Sequence, residues 1–139
     1  MLQFLWDTDH LTLFHHGHAA VLQRYAAQPA DAVGISAVTI EEVMRGRLTA
    51  LSRATTGAAG VRDYGLLVAG VALFLQFPRV AYDGASENHF QQLLALKLRI
   101  GTQDLKIASV ALANNLTVLT RNRRDFGRIP GLVLDDRSV

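Results

Sequence analysis

Four acidic residues stand close to apolar runs in this chain. Asp7 ends the run that begins at Leu2, and Glu42 lies shortly after residues 33–36. Asp104 opens a stretch rich in small and apolar residues, and Asp125 follows the run 117–120. Carboxylates are hard oxygen donors, and a group of them suits Mg²⁺ or Mn²⁺ better than a softer metal. Such clusters commonly serve phosphoryl transfer, where the cation activates water and absorbs developing charge. Without a cation the gathering is unfavourable, because two carboxylates about 4 Å apart repel by roughly 4 kcal/mol at an effective dielectric near 20. A fold that needed only helix caps would not collect them.

Each acid also has a structural reading. Thr39 and Glu42 have the spacing of a capping box. Asp104 suits the positive end of a helix dipole, Asp7 can cap the segment after it, and Asp125 has arginines on both sides. It is the joint placement that points to chemistry. Glu41 is one residue, about 100° of helix, from Glu42, so the two do not easily face one metal. Asp9 reads as structural or as water-mediated support for Asp7, and Asp83 reads as a helix cap. Arg121, Arg123, Arg124 and Arg128 crowd beside the acidic edge, where they either hold phosphate or form a solvated basic loop. His15, His16 and His18 are interrupted by Gly17, and no acid completes a zinc motif, so they read as a solvated loop. His10 and His89 read as structural.

The elements that must position these acids are short. Strands are expected at 3–6, 33–36, 79–82, 117–120 and 132–134. Helical segments are expected at 11–16, 19–27, from Thr39 past Leu51, at 61–76, up to Leu98, and at 104–114. Strands alternating with helices call for a parallel, helix-covered α/β sheet. In such sheets function gathers beyond the carboxyl ends of the strands, which is where Asp7 and residues 121–125 fall. Glu42 and Asp104 are expected in first helical turns facing the same side.

Composition bounds the remaining possibilities. A chain of 139 residues, half of them hydrophobic, is expected to form a single domain over 1–139 with one core. The absence of cysteine excludes disulfides and thiolate zinc sites. A net charge of +2 is too small to indicate a nucleic-acid partner by itself. No basic region precedes a long apolar stretch, so no secretory signal is expected and a cytoplasmic location is. Residues 65–77 are too short to span a bilayer and predict a buried helix. No phosphate-binding glycine loop or serine nucleophile elbow is present.

With these residues in view, the chain resembles the PIN-domain ribonucleases, in particular the VapC-type toxins of bacterial toxin–antitoxin pairs. The resemblance is carried by residues 5–9, 35–46 and 100–126, and by Arg128–Leu132, in their order and spacing. It implies a three-layer α/β/α fold with a short, mainly parallel central sheet. It implies a metal-dependent endoribonuclease that hydrolyses RNA phosphodiesters with Mg²⁺ or Mn²⁺ held by Asp7, Glu42 and Asp104. The fourth family position falls where Asn122 stands, with Asp125 three residues on, so either could serve a weaker cation or orient water. Arg121, Arg123 and Thr120 are candidates for substrate contact. The implied partners are RNA, a cognate antitoxin and a second copy of the chain, with the apolar helices near 43–51 and 65–77 available for contact beyond their share of the core. No membrane role is implied.

Two other readings compete. One is a PIN-like module that binds RNA or protein with weakened catalysis, motivated by Asn122. The other is a small-phosphoester phosphatase built on Asp7-Thr8-Asp9, which would need a lysine, and only Lys97 and Lys106 are present.

Overall fold

In the computed structural model, which describes residues 1–139, five strands form one parallel sheet. They are β1 (Phe4–Trp6), β2 (Val33–Ser36), β3 (Arg79–Val80), β4 (Thr117–Leu119) and β5 (Leu134–Asp135). Their order is β3-β2-β1-β4-β5, with every neighbouring pair parallel. β1 is central, paired with β2 through Leu5↔Gly34 and with β4 through Leu5↔Val118. The chain reverses its winding at β1, and the crevice beyond the ends of β1 and β4 is the switch point where such sheets bind ligands.

Successive strand residues face opposite sides of a sheet, and the two sides carry separate cores. Leu5 and Val118 pack with Ile107, Ala108, Val110 and Phe90. These come from α5 (Gly84–Ala95) and α6 (Thr102–Asn114). Trp6, Ile35 and Leu119 pack on the other side with Leu11, Val21 and Phe77. That side is covered by α1 (Thr8–His15), α2 (Ala19–Ala26) and the end of the helix at 57–74. Rings of Trp6, Phe14, Tyr25 and Phe77 lie 5.0–5.7 Å apart there. The result is the expected α/β/α arrangement. Small residues at Ala108 and Ala111 let α6 lie close on the sheet, and Asn115 ends it in the left-handed conformation at φ 54°.

Helix α1 starts at Thr8, three residues before the expected 11, and an unexpected short helix spans Arg123–Phe126. Three further helices differ from the sequence expectation in start, end or burial. α3 (Ala37–Arg53) begins two residues earlier than Thr39, because Ser36 caps it by accepting the Thr39 N–H at 3.1 Å. Glu42 therefore lies in the second turn, and no capping box forms. α4 (Gly57–Phe74) begins four residues earlier than the expected 61 and is not a buried helix. By length and apolar composition it could cross a membrane, but only 28% of it is buried and its inner face packs on the protein. That inner face carries Gly60, Asp63, Gly70, Leu73 and Phe74. Composition gave α4 its helix but could not say which face meets the protein. α5 stops at Ala95, after which Lys97 and Arg99 adopt positive φ.

Candidate active site

Asp7 leaves β1 at its carboxyl end and caps α1, its Oδ1 accepting the His10 N–H at 2.8 Å. Its own N–H donates to the Leu119 carbonyl, which ties the start of α1 to the end of β4. Asp104 is third in α6 and half-buried. The two acids line one open cavity of about 440 Å³ with Thr8, Asp9, Arg121, Asn122 and Phe126. Asp7 and Asp104 are thus brought together as the sequence suggested.

Glu42 does not line that cavity but stands in the adjoining cleft with Thr8, to which it is tied through a chain of hydroxyls. A carboxylate only accepts, so Thr8 Oγ1–H donates to Glu42 Oε1 at 2.9 Å. Thr39 Oγ1 then donates to Thr8 at 3.1 Å, and Ser36 Oγ to Thr39 at 3.5 Å. Ser36 and Thr39 are fully buried, which makes this a fixed strut between β2, α3 and α1. Thr8 is the residue that sequence reasoning missed. Its place beside Asp7 was visible, but its partner 34 residues away was not. Glu41, by contrast, pairs with Arg45 and Gln103 on the outer face of α3.

The electrostatics single out Asp104. Its carboxyl is pushed up to about 6, first by burial and then by the charges of Asp7, Glu42 and Asp125. Asp104 thus lies in the field of three other acids, of which Asp125 is itself paired with Arg128. Asp7, Glu42 and Asp104 supply oxygen donors, a set that suits a hard divalent cation, and a cation would turn their mutual repulsion into attraction. The residues present therefore fit Mg²⁺ or Mn²⁺. Ligand atoms of Asp7, Asp9 and His10 also lie within 4.8 Å of one another. His10 is fully buried and does not line the cavity, so that triple shares only Asp7 with an accessible cation set.

The loop after β4 supplies the opposite wall. Thr120 is fully buried, and its Oγ1 accepts the Asn122 N–H at 2.9 Å. Asn122 caps the short α7 (Arg123–Phe126), its Oδ1 accepting from Asp125 N and its Nδ2 donating to Asp125 Oδ2 at 3.1 Å. Asp125 also pairs with Arg128 at 2.9 Å. Those bonds hold its carboxyl below the usual range, Asn122 first and Arg128 second. Asn122 thus faces the cavity, and Asp125 stands behind it with both oxygens engaged. Arg121 makes a two-pronged pair with Asp9, both contacts at 2.7 Å, across the cavity mouth. Arg123 is exposed.

The remaining sequence candidates fall elsewhere. His15 and His16 are exposed, and His18 Nδ1 accepts from Val21 N at the start of α2. Asp83 caps α5, as expected. Lys106 lies 5.4 Å from the Phe90 ring and does not line the cavity, which leaves the phosphatase reading without its lysine.

Comparison with known proteins agrees with the fold. The family model described as PIN domain matches residues 9–132. Ribonuclease VapC2 of Rickettsia felis is 51% identical over 39 residues, a stretch covering 28% of this chain and 29% of that protein. The crystal structure of DNA-bound VapBC from Salmonella typhimurium contains a chain that superposes with a TM-score of 0.78 at 25% identity, covering 98% of both chains. The VapBC-1 structure from nontypeable Haemophilus influenzae matches over 100% of both chains with a TM-score of 0.76 at 21% identity.

Proposed function

Because this chain belongs to the PIN-domain family, we propose that it is a metal-dependent endoribonuclease acting as the toxin of a toxin–antitoxin pair. The observation that carries the reading is the acidic cavity at the ends of β1 and β4, where Asp104 is held near 6 by burial and by its acidic neighbours. The likeness to a ribonuclease VapC2 and to VapBC complexes supports the choice of RNA over other phosphodiesters and of an antitoxin as partner.

In this reading Asp7, Glu42 and Asp104 hold Mg²⁺ or Mn²⁺, with Asn122 offering a neutral carbonyl oxygen beside them. A bound cation would activate water and neutralise negative charge developing on the phosphoryl oxygens. Asp7 enters the cavity from the end of β1 and Asp104 from the first turn of α6. Glu42 is held in place by Thr8 and reaches the cation directly or through water. Asp125 acts by fixing Asn122. Arg121 and Arg123 grip the substrate's phosphates, and Arg121 exchanges Asp9 for a phosphate when RNA enters. Thr120 contributes by shaping the loop that presents both Arg121 and Asn122.

The antitoxin is assigned to the outer face of α4. Val61, Tyr64, Val68, Val71 and Leu75 are all exposed there, spaced three and four residues apart in turn. That is the seam a helix presents to another helix. The family resemblance further supports a homodimer, and the cytoplasm is the compartment in which such a toxin meets RNA.

The test is cleavage of a mixed structured-RNA pool with Mg²⁺, Mn²⁺ or EDTA, using antitoxin-free protein and Asp104→Asn. Cleavage that requires the cation and falls by about 100-fold or more in the variant is expected. RNA bound but uncut by the wild type, with a substrate cut by related toxins in the pool, would favour the binding-module reading that Asn122 motivates.

A further inference from the structure

One buried titratable side chain takes no part in the chemistry above. His10 is completely buried, one turn into α1 from Asp7. Its Nε2 accepts the backbone N–H of Arg137 at 3.2 Å, a contact between residues 127 apart in sequence. Its Nδ1 is buried with no hydrogen bond in the protein, and its nearest acidic neighbour is Asp7 Oδ1 at 3.5 Å. Asp136 Oδ1 is 3.7 Å from Nε2, too far to compete with the Arg137 N–H.

A ring nitrogen that accepts an N–H must present its lone pair, so the ring proton is on the other nitrogen. The Arg137 backbone therefore fixes the Nδ1–H tautomer, whose nearest acceptor is Asp7 Oδ1 at 3.5 Å. Asp7 Oδ1 accepts the His10 backbone N–H at 2.8 Å and has the positive end of the Nδ1–H dipole beside it at 3.5 Å. Oδ2 accepts no hydrogen bond from the protein and is left for a ligand in the cavity. The backbone beyond β5 is itself pinned. Arg137 Nε donates to Asp135 Oδ2 at 2.7 Å, its guanidinium lies 4.7 Å from the Phe4 ring, and Asp136 Oδ1 accepts from Ser138 N at 2.8 Å.

We propose that His10 is a positioning residue for Asp7, its tautomer set by the backbone of Arg137, so that the segment after β5 forms part of the cation site. This rests on the metal-dependent reading above. Partners that orient a metal-binding side chain commonly govern affinity by about 10- to 100-fold. A merely space-filling His10 would govern stability alone.

The experiment measures Mn²⁺ binding by calorimetry, without RNA, and reads the His10 tautomer by long-range ¹⁵N–¹H NMR of the metal-free protein. His10→Phe fills the space without a donor and is expected to weaken Mn²⁺ binding by about 10-fold or more. His10→Asn keeps an amide N–H at the Nδ1 position and is expected to recover most of that loss. Arg137→Pro removes the backbone donor together with the guanidinium over the Phe4 ring, so it is set against Arg137→Ala, which keeps the donor. It is expected to erase the Nδ1–H preference and weaken Mn²⁺ binding more than Arg137→Ala does, even if His10→Phe does not fold. A wild-type ring in the Nε2–H form overturns the inference, as does wild-type Mn²⁺ affinity in both Arg137→Pro and a folded His10→Phe. Those results leave the nuclease reading standing, whereas a wild type that binds no Mn²⁺ overturns both.

Discussion

At the scale of single residues, the acids of the cavity differ in what their environments ask of them. Asp104 is raised from 3.8 to about 6 by burial and like charge, so it binds a proton in the folded protein where the unfolded chain does not. Between those values the native state binds more protons, and linkage makes stability fall as pH rises through the window. The metal-free protein is therefore expected to melt at a higher temperature at pH 5 than at pH 7.5, by a few degrees. Asp104→Asn should flatten that dependence, and saturating Mg²⁺ should restore the loss at pH 7.5. A pH-independent melting temperature in calorimetry would contradict this account. Asp125 stands differently, since its carboxyl is already satisfied by Asn122 and Arg128. Asp125→Asn should cost cleavage about 10-fold at most, while Asp7→Asn should cost about 100-fold or more. Equal losses in a single-turnover assay would make Asp125 a ligand. Asp7 and Asp104 were legible because a strand end and a helix start leave little choice of position. Thr8 and His10 were not, because their meaning depends on Glu42 and Arg137, far away in the chain.

At the scale of elements, the five strands and their alternation with helices could be read from apolar runs and the breaks between them. Helix starts and faces were less legible. Ser36 displaced Thr39 as the cap of α3 because a hydroxyl at the strand's last residue can reach the N–H three positions on. α4 is apolar nearly all round, so its pattern did not distinguish the inner face of Leu73 and Phe74 from the outer face of Val61, Val68 and Leu75. The latter are 77%, 70% and 67% exposed, an unusual expenditure of apolar surface for an unpartnered helix. Val68→Glu is expected to leave RNA cleavage and melting temperature near wild type. It should weaken antitoxin binding by about 30-fold, the effect of losing a central apolar contact. Unchanged affinity in a binding titration would move the antitoxin to another face.

At the scale of the whole molecule, parallel pairing makes every strand depend on a crossover, and the central β1 depends on the longest reach. Phe4 finds its partner at Thr117, so β1 and β4 meet only when most of the chain lies between them. Topologies dominated by such distant pairings fold slowly compared with locally connected ones. The cavity inherits this dependence, for Asp7 comes from the first strand while Asp104 and Asn122 come from the last third of the sequence. On a translating ribosome, then, a half-made chain cannot assemble the site at all. Under the nuclease reading proposed above, RNA would be exposed to cleavage only after residues beyond Asn122 have emerged.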